Sequence, residues 1–416
     1  MLKILLILAI YSNIKADETI DFSSDTLVDG NGFLVTDNSV TIVNSGTYIL
    51  RQTSLSRSLI ISQSISVTLK PIDFEFHFTK DYDLTPMIIG KNAIVNFEGV
   101  FAINDYSEKK NEKNALIYME TGAKINCNSN EELQFVLVSP IKYAIYGENS
   151  NLINLNKCGI YYDALGIINV ANLIVNDGGI NHVKEIDSPS IQVSDSITLK
   201  NGEFIFNGQG IKAGKNIYIE QNGIETFFQS LGKIESGENI EINSGFYYIQ
   251  SLEEIFKAGK DITIQKVNFE LYSGSKDFPV QPMVAGGNLK ISNSNIFIAS
   301  YDCVKELPNQ KETFTYSGKI SKDQTISITS DQGTIGVRTM PREFNYIYYT
   351  GQQTGLKMKI DNRDVEKTDP NSCQTKNAAS SSSSKQNGDG NGKDKNVSEV
   401  VKMCYILLLI SLILLN

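Results

Sequence analysis

The chain has 416 residues and carries 38 Lys and Arg against 47 Asp and Glu, a formal net charge of −9. That acidic balance argues against nucleic acid as a partner. Tryptophan is absent while Tyr and Phe number 19 each, so the exposed Trp platforms common in sugar-binding modules are missing and only Tyr and Phe are left to replace them.

The first element is Met1–Ala16, MLKILLILAIYSNIKA, with an early Lys3, the apolar run Ile4–Ile10 and the small residue Ala16 before Asp17. Early charge, short apolar core and small cleavage residue predict a secretory signal peptide, and the core is too short to span a bilayer. Residues 17–45 are expected to cap one end of the body that follows.

From residue 46 to residue 302 the chain repeats. Five segments align: IQVSDSITLKNGEFIF from Ile191, IKAGKNIYIEQNGIETF from Ile211, IESGENIEINSGFYYI from Ile234, FKAGKDITIQKVNFEL from Phe256 and MVAGGNLKISNSNIFI from Met283. Each holds a small-residue turn, two aliphatics two positions apart, a turn with Asn or Gly, and a second apolar strand. The pairs Ile197/Leu199, Ile217/Ile219, Ile240/Ile242, Ile262/Ile264 and Leu289/Ile291 recur at 20, 23, 22 and 27 residues. Weaker copies stand upstream at Leu173/Val175, Ile153/Leu155, Ile125/Cys127, Val95/Phe97 and Val67/Leu69. A spacing of two places both aliphatics on one face of a strand and turns Thr198, Tyr218, Glu241, Thr263 and Lys290 outward. Strand-rich units of this length, without helical periodicity, predict an all-β fold, a parallel β-helix of about ten coils. The Leu-x-x-Leu-x-Leu pattern of leucine-rich repeats is absent.

Aligned columns also alternate in charge, Lys212/Glu235/Lys257 and Lys215/Glu238/Lys260. Stacked coils would turn both into ladders that pair within themselves, a solvated face rather than a binding strip. Residues 303–365 still alternate and are expected to form a β-rich cap on the other end of the solenoid.

Four cysteines outside the C-terminal tail, Cys127, Cys158, Cys303 and Cys373, allow three disulfide pairings or buried free thiols, and none has zinc-site spacing. From residue 366 to 402 the chain is Ser/Asn/Gly/Lys-rich and reads as a disordered stalk. It ends in small residues around Gly388 and Gly390, a polar spacer Lys393–Lys402, and the 13-residue apolar tail Met403–Leu415 with no basic residue after it. Small residues, spacer and a tail shorter than the roughly 20 residues of a membrane span predict attachment of a glycosylphosphatidylinositol anchor at Gly390 or Gly388. The only glycosylation acceptor, Asn396-Val-Ser398, would leave with the tail. The expected address is the outer face of the plasma membrane, or the medium.

The opening of the body, VTIVNSGTYILRQTSLSRSLIIS at Val40–Ser62, and the repeated (I/F)-K-A-G-(K/G)-(N/D)-I-x-I unit resemble the clostridial-type carbohydrate-binding β-helix family over Val40–Asp302. The resemblance implies a right-handed parallel β-helix that binds polysaccharide, with calcium held by stacked acid pairs at each coil's Asp-Asp-Gly-Ile corner. Here those corners read Ala164-Leu165, Ser188-Pro189, Gly208-Gln209, Leu231-Gly232 and Glu253-Glu254. Only the last is an acid pair. Calcium takes six to eight oxygen ligands, so the weak metal candidates are Glu253 and Glu254, and the wider binding candidates add Asp163, Asp177, Asp187 and Asp302.

Catalysis is not expected. Acid/base cleavage of polysaccharide needs positioned carboxylates, or calcium with a strong base and cations for uronates. No arginine lies between residues 58 and 337. His77 and His182 sit in different units, and His182, after Asp177-Gly-Gly-Ile-Asn, reads as an exposed corner histidine. The expected function is therefore a non-catalytic, anchored surface protein that binds carbohydrate or acts as an adhesin. The alternatives are a structural coat protein and a degenerate polysaccharide lyase or hydrolase.

Overall fold

The structure, a computed structural model, describes residues 17–300 except 23–26, 52–56, 73, 79–82, 129–134, 223–225, 274–282, 288 and 293–294. It also describes short strands between residues 314 and 364. Every regular element among the described residues is a strand. Each coil runs through three strands, which stack on the coils before and after to form three parallel sheets, here A, B and C. The first complete coil comprises Ser58–Ile61 in sheet A, Ser66–Ile72 in sheet B and Glu75–Phe78 in sheet C. The last comprises Met283–Ala285, Leu289–Ser292 and Asn295–Ser300. The chain is thus an all-β parallel β-helix of about nine turns, consistent with the right-handed form. At one strand spacing per step its axis measures about 43 Å.

The aliphatic pairs set the stack. Val67 pairs with Val95 and Leu69 with Phe97, Ile125 with Ile153 and Cys127 with Leu155, Leu173 with Ile197 and Val175 with Leu199. The register continues through Ile217 and Ile240 to Ile262 and Leu289. From Val67 to Ile264 these side chains are at most 2% exposed, so nine of the ten predicted pairs form one inward ladder on sheet B, and the tenth, Leu289/Ile291, continues it in register. Burying each Ile or Leu contributes about 1.5–3 kcal/mol relative to leaving it in water.

The glycine of the K-A-G turn has a steric cause. A Cβ on Gly237 would overlap the carbonyl oxygen of Gly214, and one on Gly259 would overlap that of Gly237. Coils touch backbone to backbone here, and the overlapping atom is a carbonyl that cannot swing away. Gly237→Ala is expected to cost about 1–3 kcal/mol by overpacking, read as a lower denaturation midpoint with faster amide exchange in the flanking coils.

The solenoid extends into both expected caps. Glu18–Asp21 already pairs in parallel with Gly46–Arg51, and Ile326–Thr329 stacks on Leu289–Ser292. The N-terminal hairpin of Phe33–Val35 with Ser39–Ile42 is antiparallel, as is the short pair Lys359–Ile360 with Arg363–Asp364. Of the four cysteines, Cys127 and Cys158 are joined in a disulfide between adjacent coils. Cys303 and Cys373 lie outside the described residues, as do the signal, stalk and tail segments.

Both charge columns stack in register, but their ion pairs run partly to residues outside them. Lys212 Nζ stands 3.0 Å from Glu235, and Glu235 pairs in register with Lys257. In the other column Lys260 Nζ is 3.0 Å from Glu238, while Lys215 bonds Asp195 at 2.8 Å.

Candidate functional site

The resemblance pointed to the corner between sheets C and A, and the structure does not gather the candidate acids there. Asp163 ends a sheet C strand, Asp187 sits exposed in the corner one coil further on, and Glu253 and Glu254 lie in a corner nearer the C-terminal end. Glu253 is held by Lys233 at 2.5 Å, a cation where a calcium cage would need oxygen. Asp177 belongs to a different edge. It is the first of the two residues between the sheet B strand ending at Asn176 and the sheet C strand beginning at Gly179, with φ of 50°, a left-handed conformation that Asp and Asn tolerate better than most residues. Lys157, Asn201, Ser244 and Lys266 occupy the same turn in other coils, also with positive φ. Asp302 lies outside the described residues. Among the described residues no group of three or more His, Cys, Asp or Glu is placed to hold a metal ion.

His182 requires a correction, because it is fully buried. Gly179–His182 is a sheet C strand in which Ile180 and His182 face inward, and His182 occupies a core column between Tyr162 and Phe206. Its ring stacks on Tyr162 with centroids 4.5 Å apart. Nε2 lies 3.0 Å from the Ala164 carbonyl and Nδ1 2.7 Å from Ser190 Oγ. A carbonyl only accepts, so Nε2 carries the proton, and in the neutral ring Nδ1 accepts from the serine. Desolvation pushes the His182 pKa down to about 4, with the hydrogen bond to Ala164 opposing and Lys184 adding to the shift. The spacing of Ile180 and His182, two apart like every core pair, was the sequence signal for this position.

The candidate recognition surface is the outer face of sheet B. Along its N-terminal half, carboxamides stack coil on coil: Asn126 Nδ2 donates to Asn96 Oδ1 at 3.0 Å, and Asn156 Nδ2 to Asn128 Oδ1 at 3.0 Å. Further along, the column reaches Tyr218, an outward residue expected from the repeat and half-buried among its neighbours. Tyr218 Oη donates to Glu220 Oε2 at 2.6 Å and accepts from Asn243 Nδ2 at 3.2 Å. Asn222 Nδ2 donates to Glu220 Oε1 at 2.6 Å, and Lys200 Nζ stands 4.9 Å from the Tyr218 ring centroid. These bonds, Tyr218's first, hold the Glu220 carboxyl below its usual range. Desolvation, then the neighbouring Glu220, pushes the Tyr218 hydroxyl up.

Two features mark this strip for a ligand. The Asn243 Oδ1 acceptor is buried without a hydrogen-bond partner, a costly state for a polar atom. Across the two-residue left-handed turn Ser244–Gly245, Phe246 stands 40% exposed on sheet C, with Phe227 half-buried nearby. Fixed hydrogen-bonding groups thus adjoin an apolar ring surface, the pairing that sugar hydroxyls and sugar C–H faces require. Of these residues, the outward pattern singled out Tyr218. Glu220, Asn222 and Asn243 were missed because they belong to the second outward column and the turn, where the repeat sequence varies.

Comparison with family models, with curated proteins and with solved structures finds no match for this chain.

Proposed function

We propose that the chain is a non-catalytic, cell-surface rod that binds carbohydrate along the outer face of sheet B, held to the membrane by a glycolipid added at Gly390 or Gly388. The observation that carries the binding half is the Tyr218–Glu220–Asn222–Asn243 network on the outer face of sheet B, with the exposed Phe246 across the Ser244–Gly245 turn on sheet C. The address rests on the two terminal signals, and the Cys127–Cys158 bond supports it, because structural disulfides persist in oxidising compartments.

The test is a glycan array with the soluble body, residues 17–365, with and without EDTA, followed by titration of the best ligand against Tyr218→Ala. Binding is expected to weaken about tenfold or more, worth at least about 1.4 kcal/mol, with the unfolding midpoint unchanged. Loss of binding in EDTA would support calcium at the acidic corner residues. Release of unsaturated oligosaccharides would make the protein a lyase, and silence across the array would leave the structural coat reading. Release of the intact protein from cells by a phosphatidylinositol-specific phospholipase tests the anchor.

A further inference from the structure

Away from the proposed binding face lies a charged pair that nothing above uses. Asp105 ends the sheet C strand Phe101–Asp105, and Lys142 stands in the following coil, in the corner between sheets C and A. Both side chains are 0% exposed, with Lys142 Nζ 2.5 Å from Asp105 Oδ2. Ser107, also 0% exposed, completes the cluster. Its Oγ lies 2.6 Å from Nζ and its backbone N–H donates to Asp105 Oδ1 at 2.8 Å. The next residues inward at this corner, Leu116, Ala144 and Ala164, are fully buried.

A dehydrated ion pair is a poor stabiliser, since the desolvation of both charges offsets their attraction and apolar side chains of similar volume serve as well or better. The fold shows that alternative directly: the residue in register with Asp105 on the preceding coil is Phe78, fully buried. The pair also has the parts of a condensation reaction. An amine and a carboxyl are in contact, a backbone N–H is fixed on the carboxyl oxygen where negative charge would grow, and a hydroxyl touches the amine.

We propose that Lys142 and Asp105 form an intramolecular amide cross-link. Nζ passes one proton to Oδ2, and its freed lone pair attacks Cγ, placing negative charge on Oδ1 against the Ser107 N–H. Nζ then passes a second proton to Oδ2, 2.5 Å away, while Ser107 Oγ accepts from the remaining Nζ–H and keeps the nitrogen in place. The Cγ–Oδ2 bond then breaks, water leaves, and the Cγ–Nζ amide keeps one N–H. An ammonium and a carboxylate give an amide and one water, with no oxidant or co-reactant. Lack of solvent at the site favours the water's departure and protects the bond from hydrolysis. Together with Cys127–Cys158, the cross-link would tie three consecutive coils covalently, a reinforcement suited to a rod under load.

The test is peptide mapping of the full-length protein purified from expressing cells, after disulfide reduction and trypsin. The expected product is a branched peptide joining the Asp105 and Lys142 segments, one water lighter than their sum and uncut after Lys142. Asp105→Asn, which would lose ammonia instead of water, is expected to give a branched peptide of identical mass. Asp105→Ala is expected to give none, with cleavage after Lys142 restored. Linear peptides from the native protein, with Lys142 cleaved and Asp105 at full mass, would overturn the proposal whatever the variants do.

Discussion

Replacing Cys158 by serine is expected to lower the stability of the β-helix by about 3–4 kcal/mol, the loop-closure value for cross-linked residues 31 apart in sequence. The bond joins Cys127, on a sheet B strand of one coil, to Cys158, just past the sheet B strand of the next. Both residues are almost fully buried, so reduction also leaves thiols that cannot reach solvent. In a solenoid, stability is close to a sum of repeat and nearest-neighbour terms, so the loss should concentrate where the bond lies. Amide exchange is therefore expected to accelerate most in residues 115–163 and little beyond residue 234. The denaturation profile should broaden or split, as the wild-type cooperative unit loosens at one interface. A uniform increase in exchange along the whole rod would show that the coils unfold as one body, and the nearest-neighbour account would fail.

The fold was legible because a solenoid writes its register into one repeated column. Ile197, Ile217, Ile240 and Ile262 stand in sequence where they stand in space, one above the other. The glycines of the K-A-G turns were equally visible, and the structure supplies their cause in the carbonyl of the coil before. The location of the candidate site was not legible. The acid-pair corner implied by the family resemblance lies between sheets C and A, where this chain places Lys233 against Glu253. The surface proposed for recognition depends on which outward residues of neighbouring coils meet, and Glu220 meets Asn243 only once the 23-residue spacing between Ile217 and Ile240 is fixed in register. Outward positions vary freely from coil to coil because each must satisfy only its own neighbours. A repeat pattern therefore reveals the inside of a rod far more readily than its outside.

His182 shows what an inward position costs when it holds a titratable group. Its folded-state pKa of about 4 lies below the ordinary value of 6.5, because charging the ring would place an imidazolium in the core between Tyr162 and Phe206. Above pH 6.5 the ring is neutral in both folded and unfolded chains and contributes no pH dependence. As pH falls below 6.5 the unfolded chain takes up a proton that the folded chain refuses, so stability is lost progressively until the folded ring also titrates near pH 4. A shift of about 2.5 units corresponds to roughly 3 kcal/mol lost across that window. His182→Phe, matching Phe206 one coil on, is expected to flatten the pH dependence of the denaturation midpoint between pH 6.5 and 4. The variant also leaves the Ser190 hydroxyl without its acceptor and the Ala164 carbonyl without its donor, so a lower midpoint at neutral pH is expected beside the flatter slope. An unchanged acid slope in His182→Phe would place the proton uptake on other groups, and His182 would then be a packing residue whose titration the fold does not feel.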